Sequence, residues 1–232
     1  MMVGKDVSGI SVKVPEDAHD TGKYMPTFSA YLTAIVRDSQ GRVVRVHRQR
    51  SHSPTANFMG LFLPLNWYGS SNNSFTLTNA TGGTCTYQPS LGQFTYEITY
   101  PSVDGYPTYL VGIQVGSGQQ SNAFNAHNLA APIANGSGVG QLVYGSPSVS
   151  TNVSASGSSA YISLMQTFAN QSGGTINVTE LGIMVAVQLG EASLGYTTNC
   201  GNLLIWYDVL SSSISVPNGG SLTIAYTFTV NP

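Results

Sequence analysis

The sequence predicts an all-β protein: a β-sandwich or jelly-roll-like set of antiparallel sheets behind an N-terminal arm. Three observations carry that expectation. Segments in which apolar and polar residues alternate recur along the chain, the period of a half-buried strand. Turn-forming runs such as GSG, NGSGVG, NQSGG and PNGG separate them,. Finally, no 12-residue window holds a persuasive helical period, and NAFNAHNLAA at 122–131 is the only plausible helical turn,. One β domain fits 232 residues,, with residues 1–27 as the arm and 28–232 as a single domain that opens with a basic hairpin.

The strands follow in order. FSAYLTAIVR (28–37) and RVVRVHRQ (42–49) flank Asp38, Ser39, Gln40 and Gly41, a turn-rich tetrapeptide between β-branched runs that predicts a hairpin. QFTYEITY sets Phe94, Tyr96, Ile98 and Tyr100 against Gln93, Thr95, Glu97 and Thr99, and YLVGIQV continues with Tyr109, Val111, Ile113 and Val115. In TINVTELGIMVAVQL the apolar residues occupy even positions at Ile176 and Val178, then odd ones from Leu181 to Leu189. A period of two cannot change parity without a bulge or break, which places a distortion within 179–182, with Glu180 at it. SLTIAYTFTV puts Leu222, Ile224, Tyr226, Phe228 and Val230 on one face. After Pro217, Asn218, Gly219 and Gly220 it predicts a hairpin with ISV. GSGQQSN (116–122) and YGSPSVSTNVSASGSSA (144–160) read as long loops.

Charge is scarce and uneven. Only 8% of residues are charged, against about 25% in an ordinary domain, and Ser, Thr, Asn, Gln and Gly take their place. Such a surface suits dense assembly or an extracellular setting, since it neither repels neighbouring copies nor draws nucleic acid. All eight cations (Lys5, Lys13, Lys23, Arg37, Arg42, Arg45, Arg48, Arg50) precede residue 51. With five acids, residues 1–50 carry +3, whereas five acids alone give residues 51–232 a charge of −5. The densest piece places Arg42, Arg45, His47, Arg48 and Arg50 within nine residues. Two readings stand: a docking surface for an acidic partner, using guanidinium forks that tolerate burial at an interface, or guard charges on an edge strand. Nucleic-acid contact is a minor third.

Chemistry is thinly represented. The four His (His19, His47, His52, His127) are scattered, and the two Cys lie 115 positions apart, so neither a metal site nor a cofactor is expected. Cys85 and Cys200 read as two free thiols before they read as one long-range disulfide. Glu97, Glu180, Glu191 and Asp208 are the only useful carboxylates for glycoside hydrolysis, and on alternating strands each is more simply an outward or edge charge. Asp104 before Gly105 reads as a turn rather than a calcium loop. No nucleophile elbow, P-loop or dinucleotide fingerprint occurs. NWYG, DGYPTY and IWYD place rings beside polar groups, which suits glycan stacking and, equally, core packing. No run approaches the length needed to span a membrane, and the first 20 residues lack the apolar stretch of a signal peptide. Sequons such as those at Asn79 and Asn152 are what chance gives in so polar a chain.

Four segments in order, RDSQGRVVRVHRQRSHSPTANF, NGSGVGQLVYG, FANQSGGTINVTELGI and VPNGGSLTIAYTFTV, resemble those of β-rich virion structural proteins of tailed bacteriophages. The resemblance covers roughly residues 35–230. It implies a capsid decoration or minor coat protein, or a tail component, with no catalytic residue. The chain departs from typical members in carrying no cation after residue 50. The expectation is therefore a non-enzymatic, homo-oligomeric virion protein that docks on other virion proteins of the capsid shell through its basic N-terminal part. A tail or fibre component and an extracellular glycan-binding β-sandwich are the alternatives.

Overall fold

A computed structural model describes residues 27–51, 53–62, 75–87, 95–97, 111–121, 123–152, 160–191 and 196–231. The described chain is all-β with antiparallel sheets. Its strands are β1 (Thr27–Arg37), β2 (Val43–Ser51), β3 (Phe75–Thr78), β4 (Thr84–Tyr87), β5 (Thr95–Glu97), β6 (Gly112–Gly116), β7 (Val143–Tyr144), β8 (Ser148–Asn152), β9 (Ala160–Ala169), β10 (Ile176–Glu191), β11 (Tyr196–Val216) and β12 (Ser221–Asn231), with a short helix α1 (Ala56–Phe62) after β2.

A six-stranded sheet has the order β2-β1-β12-β9-β7, with β8 also on β9. A four-stranded sheet has the order β11-β10-β5, with β6 also on β10, and β3 and β4 form a separate pair. The predicted hairpin forms: Asp38 N donates to Arg42 O and Gly41 N to Asp38 O. Gly41 takes φ 77° there, a conformation that a side chain resists. Strand β12 shows the expected alternation, with Leu222, Ile224 and Tyr226 fully buried. One core cluster draws Leu32 and Val36 from β1, Phe168 from β9 and Ile224 from β12, together with Ile113 from β6, Val178 and Ile183 from β10, and Trp206 and Ile214 from β11. The two larger sheets thus bury their apolar faces together.

Four expectations change. The segments on either side of Pro217–Gly220 do not pair with each other, because β11 pairs β10 while β12 pairs β1 and β9. The turn carries the chain from one sheet to the other, held by Gly219 N on Asn170 O and Asn170 N on Gly220 O, so Val216 and Leu222 enter the same core from different sheets. The helix lies at Ala56–Phe62, where Thr55 caps it through Phe58 N and Met59 N, whereas the described residues of 122–131 form bends and turns. Cys85 of β4 and Cys200 of β11 are joined in a disulfide. Cys200 sits at a register shift of β11, since Val187 faces Gly201 and Gln188 faces Asn199. β8 also takes up part of the stretch expected to be loop, while 153–159 lies outside the described residues.

The parity switch in β10 is where the alternation places it. Val178 faces Ile214 but Glu180 faces Val209, so two steps on β10 match five on β11, and Leu210, Ser211, Ser212 and Ser213 bulge out of the ladder. Past the switch β10 is buried on both faces through Val187. Loop residues Ala126 and Leu129 pack with Met184, Leu204 and Tyr207 on one side, while Val185, Val187, Leu203 and Leu77 cluster separately around the disulfide.

Candidate docking surface

The five singled-out residues share one hairpin but not one environment. Alternation along β2 divides its side chains between two faces. Arg45, His47 and Gln49 point toward β11 and are half-buried, whereas Val44, Val46, Arg48 and Arg50 are exposed on the other face.

The inward row is consumed internally. Arg45 Nη1 donates to Ser213 O at 2.7 Å and Nη2 to Ser212 Oγ at 2.8 Å. Gln49 Nε2 donates to Val209 O at 3.1 Å, and its Oε1 accepts from Ser211 N at 3.0 Å. These bonds satisfy the backbone that the β11 bulge releases from its ladder, an obligation any buried or edge peptide group carries. His47 Nε2 lies 3.0 Å from Gln49 Oε1.

Arg42 belongs to the turn. Its Nε donates to Asp38 Oδ2 at 2.7 Å, and Nη2 lies 2.7 Å from the same oxygen. Asp38 Oδ1 accepts from Gln40 N and Arg42 N, both at 2.9 Å. Desolvation opposes the ionised form, but the Arg42 side chain and these amides outweigh it and hold the Asp38 carboxyl below its usual range,.

Arg48 and Arg50 make no ion pair among the described residues. The ladders place Arg50 opposite Tyr31, Thr227 and Ser163, and Arg48 opposite Thr33, Ala225 and Met165. The outward side of the larger sheet is thus a plain of Thr and Ser, linked by bonds such as Thr167 Oγ1 to Thr223 Oγ1 at 2.9 Å. It is dotted with exposed Tyr31, Val44, Val46, Tyr161 and Met165. Strands β1, β2, β7, β8, β9 and β12 contain Arg37, Arg45, Arg48 and Arg50 and not one Asp or Glu.

Two buried carboxylates were read as outward or edge charges and are neither. Glu180, fully buried, accepts from Gly118 N at 3.1 Å, Ala130 N at 2.9 Å, Ala131 N at 2.7 Å and the Tyr207 hydroxyl at 2.7 Å. Burial, then the Glu180 carboxylate, raise the Tyr207 phenol well above its ordinary value. Asp208, also buried, accepts from Ser51 Oγ at 2.5 Å and Trp206 Nε1 at 3.1 Å. Tyr207 and Asp208 are consecutive on β11 and face opposite ways, so the two carboxylates do not form a pair across a substrate. The alternation break signalled Glu180, whereas nothing in IWYD signalled Asp208. Side chains of Glu97 and Glu191 lie outside the described residues, as do Asp104 and the NWYG and DGYPTY segments. Within IWYD, Trp206 and Tyr207 are buried and offer no ring to solvent for sugar stacking. Among the described residues no cluster of three or more His, Cys, Asp or Glu side chains forms.

No family model, curated protein or solved structure matches the chain.

Proposed function

We propose that this chain is a non-enzymatic virion structural protein, a decoration or minor coat component of a capsid shell, and that it docks by the outward face of its larger sheet. The observation that carries the reading is the charge of that sheet: four arginines, no carboxylate, and two of the arginines, Arg48 and Arg50, exposed beside apolar Val44, Val46 and Tyr31. An acidic partner surface meets complementary charge there, and the flat Thr and Ser rows place no charge against it. Arg42 and Arg45 contribute indirectly, one by fixing the turn and the other by fastening β2 to β11. Supporting the absence of catalysis, both buried carboxylates are engaged in structural hydrogen bonds. The sandwich form of the fold, with homo-oligomerisation on the particle, belongs to the same proposal.

The test is Arg48→Gln with Arg50→Gln in the full chain, read as copies per purified particle by mass spectrometry, with heads and tails separated. Occupancy on heads is expected to fall at least tenfold, and wild-type binding to weaken as salt rises. A double variant that stays monodisperse and fills particles at wild-type copy number sinks the docking role. One that aggregates yet still binds assigns the arginines to edge protection.

A further inference from the structure

Resting on the docking role given above to Arg48 and Arg50, we propose that the free edge of β2 receives an extended acidic strand of another protein of the particle, which lengthens the larger sheet by one strand. β2 ends that sheet and, among the described residues, pairs only with β1. Asp38 N donates to Arg42 O, which fixes the phase of the ladder. Val36, Ala34, Leu32 and Ala30 turn their peptide groups toward β2, and their partners Arg45, His47, Gln49 and Ser51 meet them,. Val46, Arg48 and Arg50 therefore turn their amides and carbonyls away from β1, along the open side of the sheet. No register shift interrupts Arg45 to Ser51, a regular run of about 20 Å.

The side chains on this edge define the occupant. Val46, Arg48 and Arg50 share the exposed face, two residues apart, so an antiparallel neighbour meets them with every second residue. Along the neighbour the match runs acid, any residue, acid, any residue, apolar: two carboxylates beside the guanidinium groups and one apolar side chain beside Val46. Opposite charges directly across a ladder attract, and main-chain bonds supply affinity that the side chains make selective. An edge kept only against aggregation carries charge or proline, whereas Val44 and Val46 stay 55% and 57% exposed on this one. A second copy does not offer the match among its described residues, because none of those strands carries two carboxylates two residues apart.

The test is Val46→Pro in the full chain, with Val46→Ile as control, read as copies per purified head by mass spectrometry. Proline at an edge position whose amide faces solvent leaves the β1 ladder and both arginines in place, but withdraws a donor from the partner. Occupancy is expected to fall at least tenfold with Val46→Pro and to stay near wild type with Val46→Ile. Equal occupancy of the two variants overturns strand pairing: if Arg48→Gln with Arg50→Gln still empties the heads, docking by the sheet face survives, and if it does not, both readings fall. Hydrogen exchange on the unsubstituted protein guards against a proline variant that fails to fold. The amides of Val46, Arg48 and Arg50 are expected to exchange at least tenfold more slowly on heads than in the free protein, and unchanged exchange overturns the proposal. A benzophenone carried by Val44→Cys identifies the occupant. Links to a peptide of another particle protein with carboxylates at alternate positions are expected; links only within one chain, or only between two copies, overturn the proposal.

Discussion

Glu180 does at the scale of one residue what a whole turn of secondary structure does elsewhere: it supplies acceptors for backbone amides that no strand pairs. Its carboxylate fastens Gly118, Ala130 and Ala131 to β10 and meets the Tyr207 hydroxyl, with no cation among these partners. A buried charge costs several kcal/mol unless its lone pairs are filled, and four donors fill them here. Gly116 and Gly118 complete the fit, because a Cβ on either would press against the Glu180 carboxylate. Glu180→Gln keeps the volume but turns an amide donor toward groups that are themselves donors. It is expected to lower unfolding free energy by about 2–3 kcal/mol in urea titrations. Tyr207→Phe, which removes one donor, is expected to cost about 1–2 kcal/mol. Because the two share a bond, the double variant should lose less than the sum of the single losses; strict additivity would show that the Tyr207 to Glu180 contact contributes nothing.

Among the elements, β11 accommodates the most irregularity. It slips register at its bulge, at Ile205 and at Cys200, and each slip is met by a different neighbour: β2 side chains at the first, residues 53–55 at the second through Thr55 N to Ile205 O and Tyr207 N to Ser53 O, and the disulfide at the third. Reducing that disulfide, which closes a loop of 115 positions, is expected to cost about 5 kcal/mol in the chain-entropy model, seen as a lower urea midpoint in reductant. Native trypsin is expected to spare the bonds after Arg37, Arg45, Arg48 and Arg50, all within paired strands; rapid loss of β2 would contradict this. What the sequence made legible follows from how local each signal is. The β1–β2 hairpin, the inward face of β12 and the distortion at Glu180 rest on alternation and turn chemistry within a few residues. The extra residues of the bulge sit on the partner strand, where SSS has no periodicity to read. PNGG marks a turn, but nothing local says whether the chain doubles back or crosses to the other sheet. Alternation divided Arg45 from Arg48, yet only the position of β11 decides which of the two is spent inside the molecule.

Over the whole molecule, buried phenols set the alkaline limit. Desolvation raises Tyr144 and Tyr226, and desolvation with the Glu180 bond raises Tyr207. Each binds its proton more tightly folded than unfolded, where a phenol titrates near 10. Their contribution is therefore complete below about pH 10 and is lost as pH rises toward the folded values. Stability is expected to hold from neutral pH up to about pH 10 and to fall steeply above it, with the part of the tyrosinate absorbance that belongs to the buried phenols appearing only as the chain unfolds; ionisation of every tyrosine in a chain that stays folded would refute the linkage,. The sheet order has a different consequence. β12, the last strand, lies between β1 and β9, with Thr27 opposite Asn231. During synthesis the larger sheet must wait, its two halves held open as unpaired edges, until β12 leaves the ribosome. A window with two unpaired sheet edges is thus written into the order of the strands, and a circular permutant that joins the neighbouring ends of β1 and β12 and opens elsewhere should shorten it.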